Sequence, residues 1–180
     1  MEKIIDLHIH TDCSDGDLSP KQVIDEASKN GVSVVAIADH DTIDAYDDVL
    51  FQYAKDKNIK IIPAVEISTK NKKCGFHVLG YNFDMKNNEL VQKLFELRNT
   101  RHDYLYNVSV KLNDLGYKVN VEELDKIEAV TKAHIYFDII NNPDNHESLL
   151  KTFGHIPDKG EFIESIMNEG CPKKKKKATI

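Results

Sequence analysis

The chain has 180 residues, 41% hydrophobic and 30% charged, which is the balance of a globular protein long enough for one ordinary domain with a small insert. Its net charge of -6 argues against broad electrostatic binding to a nucleic-acid backbone, so no stable duplex binding is expected. A phosphorylated substrate stays open, because bound dications would make a site locally positive.

Residues 3–9 are rich in Ile and Leu, as a buried strand is. Ser19-Pro20 opens a helix, with serine as the cap and proline in the first helical position. Val23, Ile24 and Ala27 give it an apolar face, and Gly31 closes it. Residues 32–38 form a second buried strand, which ends at Asp39-His40-Asp41. Residues 43–57 read as a second helix, 59–62 as a third strand, 64–69 as a fourth and 74–83 as a fifth. The opening alternation of strand and helix is the pattern of parallel units, so an α/β fold is expected over residues 1–86.

The character changes at residue 87. Leu90, Leu94, Leu97, Leu105, Val108 and Leu112 recur at helical spacing, and Gly116 is a good stop. Residues 121–126, 131–141, 146–153 and 159–168 read as shorter helices, which makes 87–170 an all-helical insert or cap. Residues 171–180 are a lysine-rich tail, expected as a solvated segment. Cys13, Cys74 and Cys171 are far apart and form no CxxC pair, which suggests free thiols in a reducing, cytoplasmic setting. No signal peptide is read at the start. No apolar stretch approaches the roughly 20 residues needed to span a bilayer, so no membrane partner is expected.

Six residues stand out as metal-ligand candidates. His8 and His10 sit two apart on a strand, so both side chains leave the same face. Asp15 follows five residues later, His40 ends the second strand, and Glu66 and His77 lie in the fourth and fifth. A single His-x-His pair is weak evidence, but strand ends are where α/β folds place their sites, and these candidates fall there together. Neutral imidazole with carboxylate suits zinc, manganese or iron. A cluster of such cations makes hydroxide from water near neutral pH and screens a phosphate's charge.

The segments DLHIHTDCSDG, IADHDTIDAYDD, IIPAVEIST and FHVLGYNFD resemble the polymerase and histidinol phosphatase (PHP) domain family, most closely its stand-alone phosphoesterases of nucleotides and short RNA ends. The likeness continues more loosely through LRNTRHDYLYNVSVKLNDLGY and VTKAHIYFDIIN. It implies a partial PHP-type distorted β/α barrel, parallel strands with helices, under the helical cap. It also implies divalent metal ions, Mn, Zn or Fe, up to three in an intact site. By the family's pattern His8, His10 and Glu66 hold one metal, Glu66 and His77 a second, and Asp15 and His40 a third. Arg98 or Arg101, together with Lys132 and His134, would meet the phosphorylated small molecule or oligonucleotide. Asp39 and Asp41 are expected to orient His40 from behind, and His146 and His155 to be surface residues.

The family's later motifs, a further His or Cys ligand and an Asp-x-His pair near the C-terminus, are read as missing. A barrel without its closing strands is therefore expected, with an unpaired edge that a partner chain would complete. The rival expectation is a fragment that binds metal without efficient catalysis.

Overall fold

Strand β1 (Ile4–Ile9) pairs in parallel with β2 (Val32–Ile37), and β2 in parallel with the short β3 (Lys60–Ile61). The helices α1 (Pro20–Lys29) and α2 (Asp48–Asp56) are the crossovers. These elements belong to a computed structural model that describes residues 3–70 and 75–167. The expected parallel units are thus present, but the next two strands differ. β4 (Ala64–Lys70) and β5 (Gly75–Tyr81) form an antiparallel hairpin, a second sheet of two strands. A parallel bridge between His40 and Glu66 joins the two sheets. Among the described residues the sheets do not close, so the barrel is partial.

The apolar faces read in the sequence build the lower core. Val23 and Ile24 of α1 and Leu50 and Ala54 of α2 pack on Val35, Ile37 and Ile61. On α1, Ser19 donates its backbone N–H to Gln22 Oε1 at 2.9 Å, which satisfies one orphan donor of the first turn. Helix α2 begins five residues later than expected. Asp47 caps it, accepting from the Leu50 N–H at 2.6 Å, while residues 41–46 run as a loop with Asp41 at φ 55°.

The cap begins with α3 (Asn88–Asp114), where Asn87 accepts from the Leu90 N–H at 3.0 Å. Gly116, at φ +85°, supplies the left-handed turn that ends it. Then come α4 (Val121–Leu124), α5 (Lys132–Asn141), α6 (His146–Phe153) and α7 (Lys159–Phe162). The last expected helix is α-helical only to Phe162 and continues as a π-turn over Ile163–Met167. Leu105, Leu112, Tyr117, Ile135, Ile139, Leu149 and Phe162 form a core separate from the barrel's. Cys74, residue 168, Cys171 and the lysine run at 173–177 lie outside the described residues. No helix among the described residues is long and apolar enough to cross a membrane.

Candidate metal centre

The site stands where the two sheets meet. Alternation along β1 sends His8 and His10 to the same side, and their Nε2 atoms lie 3.1 Å apart. Both nitrogens are near Glu66 Oε2 of β4, at 3.0 Å from His8 and 3.1 Å from His10. In the hairpin Glu66 faces Leu79 and Ser68 faces His77, so His77 sits diagonally beside Glu66 on one face. Its Nδ1 lies 2.8 Å from Glu66 Oε1. His40, from the end of β2, completes the cluster: Nε2 is 3.7 Å from Asp15 Oδ1, and Nδ1 is 3.7 Å from Glu66 Oε2.

All six residues read from the sequence converge. They group as His8–His10–Glu66, His10–Asp15–His40 and His40–Glu66–His77, with the donor atoms of each group within 4.8 Å of one another. Against the family's expected sets, His10 joins Asp15 and His40, and His40 joins Glu66 and His77. Two ligands at about 2.1 Å from a tetrahedral ion stand about 3.4 Å apart, so donor separations of this size fit a metal. His40 Nδ1 adds a second sign, being buried without a hydrogen-bond partner.

Electrostatics prepare the set for cations. Burial pushes the His40 imidazole down to about 4, against the opposing charge of Asp15, which keeps it neutral as a ligand must be. Glu66 is held below the usual carboxylate range. Burial acts to raise it, but the hydrogen bond from His8 and the neighbouring His40 and His77 outweigh that.

Residues that carry no ligand atom hold the cluster in place, and sequence reading passed most of them over. Asp39 accepts from the Thr11 N–H at 2.7 Å, Thr11 Oγ1 at 2.6 Å and Ser14 Oγ at 2.5 Å. It therefore fixes the 11–16 loop rather than His40, and burial raises its pKa despite those bonds. Asp41 likewise turns away from the His40 ring, accepting from the Ser68 N–H at 2.6 Å. Each of these buried carboxylates takes its hydrogen bonds from a backbone N–H and from side-chain donors of other segments, Thr11 and Ser14 for Asp39 and Arg101 for Asp41. Gly16 lies so close to the chain that a Cβ would stand 2.5 Å from the His10 carbonyl oxygen. Tyr46 donates to the Ile37 carbonyl at 2.5 Å and accepts from the Ala64 N–H at 2.9 Å, pinning the end of β2 to the start of β4.

The cap residues divide. His134 Nδ1 accepts from the Thr131 N–H at 3.0 Å, so the other ring nitrogen carries its proton, and the side chain hydrogen-bonds the backbone of Ser14 beside the cluster. Burial lowers its pKa. Lys132 Nζ stands 5.4 Å over the Tyr104 ring. Arg98 and Arg101 both contact protein groups of the 41–46 loop. Arg98 donates to Asp44 Oδ2 at 2.6 Å and Thr42 Oγ1 at 3.1 Å, and Arg101 pairs with Asp41 at 2.6 Å. An Asp-x-His triplet does follow residue 8, contrary to expectation, at Asp144-Asn145-His146. It belongs to the cap: Asp144 pairs with Lys118 Nζ at 2.6 Å, and His146 Nε2 lies 3.2 Å from the Ile140 carbonyl. His146 is bound there and His155 lies 2.9 Å from Glu161, both at exposed positions as expected.

A partial β/α barrel with overlapping imidazole and carboxylate triads at its strand ends is an arrangement that could hold metal ions. The chain belongs to the PHP domain family, whose pattern matches residues 6–169. It is 37% identical over 173 residues to a 5'-3' exoribonuclease of Haemophilus influenzae, covering 94% of this chain and 58% of that protein. It is 26% identical over 134 residues to a 3',5'-nucleoside bisphosphate phosphatase of Chromobacterium violaceum, covering 72% of this chain and 47% of the relative. Among solved structures, an amidohydrolase of Chromobacterium violaceum with bound sulfate and no metal superposes with a TM-score of 0.74. That match is 22% identical and covers 93% of this chain and 56% of the other. The chain thus spans about half the length of the curated relatives it matches.

Proposed function

We propose that this chain carries the metal-binding part of a divalent-metal-dependent phosphoesterase for nucleotides or the 5' ends of short nucleic acids. One observation carries the reading: His8, His10, Asp15, His40, Glu66 and His77, spread over 70 positions, converge into three triads that share Glu66, His10 and His40. The names of the exoribonuclease and the bisphosphate phosphatase support the substrate class, since both act on phosphate esters of nucleotides.

In this reading Glu66 bridges, with one oxygen toward His8 and His10 and the other toward His77. Manganese, zinc or iron bound there would activate water and neutralise phosphate charge. The chain's own residues do the rest. The buried Asp39 cradle keeps the Asp15 loop closed against His10. Lys132 stands on the cap side as the cation for a phosphorylated small molecule or oligonucleotide, and His134 beside it ties the cap to the Ser14 backbone next to the cluster.

A second reading, metal binding without efficient turnover, has its own support. The side chains of His8 and His77 are 45% and 47% exposed, while that of Glu66 is 10% exposed. The open strands β1 and β5 also leave Ile4, Ile5, Leu7, Phe76 and Val78 in solvent. A partner chain covering these strands would complete the site. Both readings meet in one experiment. Metal analysis and manganese-dependent hydrolysis of nucleoside 3',5'-bisphosphates and 5'-phosphorylated oligonucleotides are measured for the wild type, Glu66→Ala and Asp15→Ala. Glu66→Ala is expected to lose more metal than Asp15→Ala. Equal metal in all three sinks the bridging assignment, and full metal without turnover favours the second reading.

A further inference from the structure

The Arg101 guanidinium commits all three of its nitrogens to protein. Nε donates to Asp41 Oδ2 at 2.6 Å, one terminal nitrogen to Ser68 Oγ at 2.8 Å and the other to the Val130 carbonyl at 3.1 Å. Its partner Asp41 is fully buried and sits at φ 55°, a left-handed backbone that a non-glycine residue keeps only when its surroundings hold it. The other Asp41 oxygen accepts from the Ser68 N–H at 2.6 Å. The Asp41 N–H donates to the Glu66 carbonyl, and the Glu66 N–H to the Asp39 carbonyl, each at 3.0 Å. His40 and Glu66 are therefore held side by side by a ladder whose end Arg101 clasps. Arg98, one turn earlier on α3, grips the same loop at Thr42 and Asp44.

We propose that Arg101 is a positioning residue of the metal centre: from the cap it locks Asp41 to Ser68, and so sets His40 against Glu66, instead of reading the substrate's phosphate. The inference rests on the metal-centre reading above. A planar fork is what the geometry uses, since one group must meet a carboxylate, a hydroxyl and a carbonyl at once. A lysine keeps the charge but satisfies one of these directions at a time. The buried Asp41 carboxylate has that guanidinium as its ion-pair partner at 2.6 Å, so removing the fork leaves a buried acceptor without it.

Arg101→Lys and Ser68→Ala test this in the full chain. Mn(II) affinity is measured by titration calorimetry, inorganic phosphate affinity at saturating Mn(II), and amide exchange at Ser68. Arg101→Lys is expected to weaken Mn(II) binding by about 10- to 100-fold, as loss of a ligand's supporting contact does, and to leave phosphate affinity within about two-fold. The Ser68 amide should exchange faster. Ser68→Ala removes a single acceptor and should shift Mn(II) affinity the same way by less, which keeps the test intact if Arg101→Lys does not fold. A phosphate affinity that falls about ten-fold or more at saturating Mn(II) overturns the proposal, because it marks a guanidinium that binds phosphate directly. Unchanged Mn(II) affinity in both variants also overturns it. A wild type that binds no Mn(II) overturns the metal-centre reading itself and is told apart by a flat titration in every variant.

Discussion

The barrel and the cap are built on opposite plans. The cap encloses large side chains, Tyr117, Phe162 and Leu112 among them, in one continuous core. The barrel buries smaller residues such as Ala36, Ala38 and Ala64 near its strand ends and spends its best-defined positions on Asp39, Asp41, His40 and Glu66. Its edge strands leave Ile5 and Phe76 about half exposed. A region that gathers imidazoles and carboxylates gives up apolar burial to do so. The cap has no such obligation, and it anchors the barrel through Arg98 and Arg101.

That contrast can be broken first in the cap. Phe162 is fully buried against Tyr117, Tyr136 and Phe153, so Phe162→Ala should cost about 3–5 kcal/mol through lost burial and a residual cavity. Denaturant unfolding measures it. Amide exchange should show the cap loosening while the Asp39 cradle stays protected. A uniform loss over both regions would mean that the two cores unfold as one.

The barrel should respond to pH instead. Burial drops His40 from 6.5 to about 4, so the folded chain resists a proton that the unfolded chain accepts. Stability is then full above pH 6.5 and is lost as pH falls toward 4, by roughly 3 kcal/mol in metal-free protein. Urea midpoints across that range check it, with His40→Gln as the flatter control. An equal slope in the control would remove His40 as the cause.

The smallest effect sharpens the comparison inside the barrel. At Gly16→Ala the new Cβ meets the backbone of His10 and Thr11 at 2.5–2.8 Å. The loop must move and carry Asp15 with it. Metal affinity should fall by about 10-fold, with little change in cap stability. Metal titration beside thermal melting separates the two. A melting point that drops as far as that of Phe162→Ala would show that the loop is structural for the whole chain.

Much of this was legible from local pattern. The His-x-His alternation, the Ser19-Pro20 helix start and the Leu spacing of α3 are short-range signals, and a strand or helix period expresses them directly. The six ligand candidates could be named because their residue types are rare together at strand ends. The loop at residues 41–46 was not legible. Its sequence continues into α2 without a breaker, and distant partners hold it: Arg98 and Arg101 grip it from the cap, Tyr46 bonds the Ile37 carbonyl and the Ala64 N–H, and Asp41 is turned left-handed.

The sequence by itself therefore determined most of the elements and the residue types gathered at the site, because each depends on neighbours within a turn or a strand. Only the tertiary structure decided which candidate ligands stand together. It also turned β4 and β5 into an antiparallel hairpin and drew Asp39 and Asp41 to backbone donors. It brought Arg98 and Arg101 of the cap against Asp44 and Asp41. Those outcomes depend on which distant donor lies nearest to each buried charge, and that distance exists only once the chain has folded.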